Sequence, residues 1–106
     1  MEEPEVLLQV LTPLGFTVRS TRSYWDLIQT KHPEVRNRLA EVRQCLEAPE
    51  QVRRSRQDGA VHLFYRPAPP YHLCVVVKRL NGGAFMITCY LTDALKEGVR
   101  IWPAST

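Results

Sequence analysis

The stretch YHLCVVVKRLNGGAFMITCYL, residues 71–91, leaves this chain few folds to choose from. Residues 71–79 carry three consecutive valines and read as a central strand buried on both faces. NGG at 81–83 is a hairpin signal, because Asn and Gly accept the backbone angles of a tight turn. Residues 84–91, AFMITCYL, supply the returning strand. Upstream, VHLFYR at 61–66 is a further strand, and the polar QVRRSRQ at 51–57 reaches it through the turn DGA at 58–60. PAPP at 67–70 is a stiff connector that cannot lie in a sheet interior. These segments predict a four-strand antiparallel meander.

The first half supplies what packs on it. PEVRNRLAEVRQCLE, residues 33–47, reads as one helix, with Val35, Leu39, Val42 and Leu46 at helical spacing as its buried stripe. Glu34 suits the first turn and can pair with Arg38, while Arg36 and Arg43 share an exposed side. Pro49 ends the helix. RSYWDLIQT at 22–30 is a shorter helix, with Ser23 and Asp26 in a capping-box arrangement and Trp25 and Ile28 on one face. EVLLQVL at 5–11 and GFTVRST at 15–21 form a hairpin around TPLG. After residue 92, TDALKEGVRIW allows one helical turn and a short extended piece, with Trp102 at the edge of the core.

The expected fold class is therefore α+β: an N-terminal β-hairpin, then one or two helices packed on a four-stranded antiparallel sheet. A chain of 106 residues makes one domain. Residues 1–21 are its hairpin extension, 22–92 its core and 93–106 its tail. No apolar run reaches the roughly 18–20 residues that span a bilayer, and MEEPEV lacks the basic start of a signal peptide. A cytoplasmic protein without membrane attachment is expected. Cys45, Cys74 and Cys89 are odd in number and widely spaced, which predicts buried thiols and neither disulfides nor a metal site. No cofactor is expected. The net charge of +3 is modest, and eleven of the fourteen basic residues are arginine, the side chain suited to bidentate phosphate contact.

Period-two sorting places side chains on sheet faces. His72, Cys74, Val76 and Lys78 share one face; Ala84, Met86, Thr88 and Tyr90 share another, with Phe85, Ile87, Cys89 and Leu91 toward the core. One register gathers Lys78, Thr88, Tyr90, an arginine of 53–56 and Tyr65 at one end of the sheet. His32 precedes Pro33 where a Ser, Thr, Asp or Asn cap is usual, and it can reach that rim from the helix start. The positive field of a helix N-terminus there suits a proton-transfer group. Such a set has the parts for metal-free RNA cleavage: an acid or base, cations for the phosphorane, and hydroxyls that orient the phosphate. Each residue has an ordinary alternative as well, with His62 and His72 structural, Lys78 solvated, and the RRSR of 53–56 a polar edge that resists aggregation.

The order KHPEV, LEAPEQV, RRS, HLFYR, HLCVVVKRL and FMITCYLT resembles phage-associated nucleases of the barnase–EndoU–colicin–RelE-like superfamily over residues 22–92. The resemblance implies a helix pair on a four-stranded antiparallel sheet and metal-independent ribonuclease activity. It also implies RNA as substrate and a toxin paired with an antitoxin or immunity protein. Its site positions fall on His32, Arg54, Ser55, Tyr65, Lys78, Thr88 and Tyr90. His32 is then acid or base, Lys78 and Arg54 hold phosphate, and Thr88 or Tyr90 orients it. The competing expectations are an inactive module that binds RNA, through Arg36, Arg43 and the 53–56 strand, or protein, and a structural domain with no nucleic-acid role.

Overall fold

The structure is a computed structural model that describes residues 5–95 and 98–103. Its strands are β1 (Val6–Leu11), β2 (Thr17–Thr21), β3 (Gln51–Arg54), β4 (Val61–Ala68), β5 (Tyr71–Leu80), β6 (Gly83–Thr92) and β7 (Val99–Trp102). Between β2 and β3 lie helix α1 (Arg22–Lys31), a 3-10 turn (Pro33–Val35) and helix α2 (Leu39–Glu47). The strands form one sheet in the order β1-β2-β6-β5-β4-β3-β7. All neighbours are antiparallel except β2 and β6, which run parallel.

The expected four-stranded antiparallel sheet is therefore corrected to seven strands in one mixed sheet. The meander β3–β6 is its middle. The N-terminal hairpin is no separate extension, because β2 docks on β6 through Val18↔Ala84 and Arg19↔Phe85. The tail adds the other edge, where β7 pairs with β3. Gly98 makes that docking possible: at φ 78 it takes a left-handed conformation, and a Cβ there would collide with the Arg54 carbonyl. The helical turn allowed after residue 92 is not found at 93–95, and Lys96 and Glu97 lie outside the described residues.

The single helix expected over 33–47 is broken. Pro33 biases His32 away from helical angles, and α1 ends there. Asn37 then takes φ 65, a left-handed conformation that Asn tolerates, and α2 starts two residues later. Arg38 straps the break. Its Nε donates to the Glu34 carbonyl at 3.1 Å and its guanidinium meets the Glu41 carboxylate at 2.7 Å, in place of the expected Glu34 carboxylate. The interruption leaves Arg36 outside α2, which carries Arg43, so the two do not share one helix as expected. The α1 cap also differs: the Thr21 hydroxyl, not Ser23, accepts the Tyr24 N–H at 3.2 Å. Pro67 lies inside β4, opposite His72, where β3 has stopped pairing and β4 is an edge.

Alternation along β6 breaks once. Val76 faces Thr88 but Val77 faces Met86, so Ile87 is a bulge with no partner in β5. The extra residue shifts every side chain after it to the opposite face. Ala84 and Met86 therefore join the core that Cys89 completes, while Phe85 shares the other side with Thr88 and Tyr90. This overturns the expectation that 84, 86, 88 and 90 lie together.

Two cores result. On one face Trp25, Ile28, Val35, Val42 and Leu46 cover Phe64, Val75 and Val77. The sheet curls over this core, since Phe16 at the β1–β2 turn meets His62 and Phe64 of β4 at ring distances of 5.5 and 6.2 Å. On the other face Leu63, Tyr65 and Cys74 are packed by Val76, Tyr90 and Leu95. All three cysteines are buried thiols, as expected. No helix among the described residues is long and apolar enough to cross a membrane.

Candidate functional site

After Phe85 strand β6 loses its β2 neighbour, because β2 turns into α1. From Ile87 onward β6 has no strand neighbour on that side among the described residues; the 3-10 turn packs on it and the end of α1 lies beside it. His32 closes α1 there, its N–H donating to the Ile28 carbonyl at 2.8 Å. The imidazole sits in contact with Tyr90, ring centres 5.8 Å apart. Its Nδ1 faces the Glu34 carboxylate at 3.5 Å. A cavity of about 300 Å³ lies beside it, lined by Tyr24, Leu27, Lys31, His32, Ile87 and Thr88. The proline turn sets up this pair by folding the chain back between His32 and Glu34.

His32, Thr88 and Tyr90 are thus brought together. The strong helix N-terminus expected behind His32 is absent, since only a three-residue 3-10 turn starts there and the ten-residue α1 ends there. Lys78 shares a sheet face with Thr88 and Tyr90, one rung further along, but its ammonium is held by Asp58 at 3.1 Å. The Ala60 N–H and then Lys78 hold the Asp58 carboxyl below its ordinary value. Tyr65 is on the same face and only 1% exposed, beneath the Leu95 layer, so its ring has no surface for a base to stack on. Ser55 lies in the loop after β3, where its hydroxyl accepts the N–H groups of Gln57 and Asp58. Arg54 is exposed at the end of β3, opposite His62 and so toward the helix-covered side. Arg36 is exposed after the 3-10 turn, and Arg43 pairs with Glu47 at 3.9 Å.

Sequence reasoning missed Glu34 as the partner of His32. The signal was the tetrad KHPE itself: a carboxylate two residues after histidine, across a proline that forces a turn. Burial pushes the Cys45 thiol well up and the Cys89 thiol up to about 12, so neither is a nucleophile near neutral pH. Burial lowers His62, which bonds the Ala60 carbonyl at 3.1 Å and has Arg79 and Arg54 nearby.

The molecule is thus a curled seven-stranded mixed sheet with an imidazole–carboxylate pair at a strand edge. Compared with family models, with curated proteins and with solved structures, the chain matches none.

Proposed function

We propose that this chain is a metal-independent ribonuclease whose site is the β6 edge around His32, acting in the cytoplasm as a toxin with an antitoxin or immunity partner. The observation that carries the reading is His32 set between Glu34 and Tyr90 beside a cavity with Lys31 and Thr88. A carboxylate on Nδ1 orients the ring, which leaves Nε2 for chemistry.

In this reading Nε2 of His32 takes the proton of a ribose 2′-OH, and that oxygen attacks the adjacent phosphorus. Lys31 offsets the charge of the five-coordinate phosphorane and Thr88 donates to a non-bridging oxygen. The bond to the 5′ oxygen breaks, and that oxygen takes its proton from the Tyr90 phenol. The products are a 2′,3′-cyclic phosphate and a 5′-hydroxyl. Arg36, exposed after the 3-10 turn, supplies a cation for a flanking phosphate. This reading assigns no role to Tyr65, Arg54 or Ser55.

The test is cleavage of single-stranded RNA by the purified chain in excess chelator, beside His32→Ala. The expected result is cleavage that survives the chelator and falls about 10²- to 10⁴-fold in the variant. Cleavage equal in both proteins, or none by the wild type, overturns the reading. Growth arrest on inducible expression, relieved by His32→Ala, checks the toxin role.

A second reading, an RNA- or protein-binding module without catalysis, is favoured by the modest +3 charge and by ion pairs that occupy Arg22, Arg38, Arg43 and Lys78. Salt-sensitive RNA binding without cleavage would select it.

A further inference from the structure

A second cavity, of about 530 Å³, plays no part in the chemistry above. It lies where β2 and β6 part company. Val18↔Ala84 and Arg19↔Phe85 are the last parallel pairs; β2 then turns into α1 and β6 bulges at Ile87. The split leaves a slot lined by Val6, Arg19, Ser20, Tyr24, Phe85 and Met86. We infer that this slot is a nucleotide-binding subsite, taking a base between Phe85 and Tyr24 and its phosphate on Arg19. This deepens the ribonuclease reading and rests on it for the identity of the ligand as RNA.

Three features favour a flat ring carrying an anion. The walls are largely apolar and include two aromatic rings, Phe85 and Tyr24, a platform for base stacking. Phe85 is 37% exposed, unusual for a phenylalanine with a core of its own nearby. Arg19, its cross-strand partner, is exposed and forms no ion pair among the described residues, whereas Arg22, Arg38 and Arg43 all do. A guanidinium at the mouth of an apolar slot suits a phosphate oxygen pair. The third feature is Ser20. It is 6% exposed, it lines the slot, and its hydroxyl has no hydrogen-bond partner among the described residues. Such a group is costly to leave unmade, and a base edge in the slot can meet it.

Position supports the assignment. Tyr24 lines both this slot and the His32 cavity, so the two meet at one ring. Phe85 of the slot and Thr88 of the site share one side of β6, on either side of the Ile87 bulge. A single-stranded RNA running along that edge of β6 then places one base in the slot and the neighbouring phosphate at His32. Cleavage selects for that base.

The test is equilibrium binding, by fluorescence anisotropy, of an uncleavable labelled 2′-deoxy trinucleotide to wild type, Arg19→Ala, Phe85→Ala and Phe85→Trp. The same trinucleotide with one abasic position is run beside it. Urea midpoints confirm that each variant is folded, as the exposure of both side chains predicts. Loss of base stacking is worth about 5- to 100-fold in affinity. The expected result is a loss of that size for Phe85→Ala and Arg19→Ala, retention in Phe85→Trp, and an abasic ligand that no longer senses Phe85→Ala. If His32→Ala abolishes cleavage while Phe85→Ala and Arg19→Ala bind as wild type does, the subsite falls and the nuclease stands. If binding follows the slot residues but no RNA is cut, the subsite stands and the nuclease falls. A wild type that neither binds nor cuts overturns both.

Discussion

On one side of the sheet Trp25, Val35, Val42 and Leu46 descend from helices and the 3-10 turn onto Phe64, Val75 and Val77. On the other, Leu63, Tyr65 and Cys74 are packed by Leu95, Tyr90 and Val76 among the described residues. The first face is a deep core in which most side chains are sealed. The second is a thin one, with Thr88 and Lys78 half-exposed beside it and Phe85 exposed. The difference is a division of labour. Stability comes from the face with enough apolar area to offset chain entropy. Accessible chemistry belongs to the more thinly covered face and the edge beside it, where His32, Thr88 and the slot at Phe85 all lie.

If that division holds, truncation on the two faces differs sharply. Phe64→Ala, at a side chain with no exposure, is expected to cost about 3–5 kcal/mol in urea unfolding. Leu95→Ala, half-exposed on the thin face, is expected to cost nearer 1 kcal/mol. Equal losses break the comparison. Next in size is Gly98→Ala, which forces a Cβ onto the Arg54 carbonyl at a left-handed φ of 78. It is expected to cost about 1–3 kcal/mol and to release β7, read as faster amide exchange in β3. Thr21→Ala removes the α1 cap and is expected to cost about 1 kcal/mol, spread over α1 and the slot wall it joins.

The smallest effect is one of pH. Burial depresses His62 in the fold relative to the unfolded chain, whose histidine titrates near 6.5. Above that pH both states hold it neutral, so its contribution to stability is whole. Below it the unfolded chain takes up the proton first, and the contribution drains away as pH falls toward the folded value. Wild type is expected to lose more stability between pH 7 and pH 5 than His62→Asn does. Identical slopes would show that Arg54, Arg79 and burial do not hold His62 neutral.

The local sequence determined a good deal. The valine run of 71–79 makes a central strand because both of its faces are buried. NGG places one hairpin, and Gly82 takes the left-handed φ of 84 that it requires; DGA only closes a longer loop over 55–60, because β3 stops at Arg54 and does not run to Gln57. The stripe Val42 and Leu46 faces the core, and Trp25 with Ile28 does the same. Three isolated cysteines are buried thiols. These follow from neighbours in the chain, where period and turn chemistry act directly.

What the tertiary structure alone decided is non-local. Whether β2 joins β6 depends on docking between segments far apart in sequence, and no residue of either announces a parallel partner. The Ile87 bulge is invisible to a period-two reading, because one extra residue inverts every later side chain without changing composition. The break at Asn37 wins over an otherwise sound helical stripe because Pro33 and a left-handed Asn act on the backbone, not on the pattern. The approach of His32 to Tyr90 depends on both: the broken helix sets where α1 ends, and the bulge with the departure of β2 opens the strand edge that receives it.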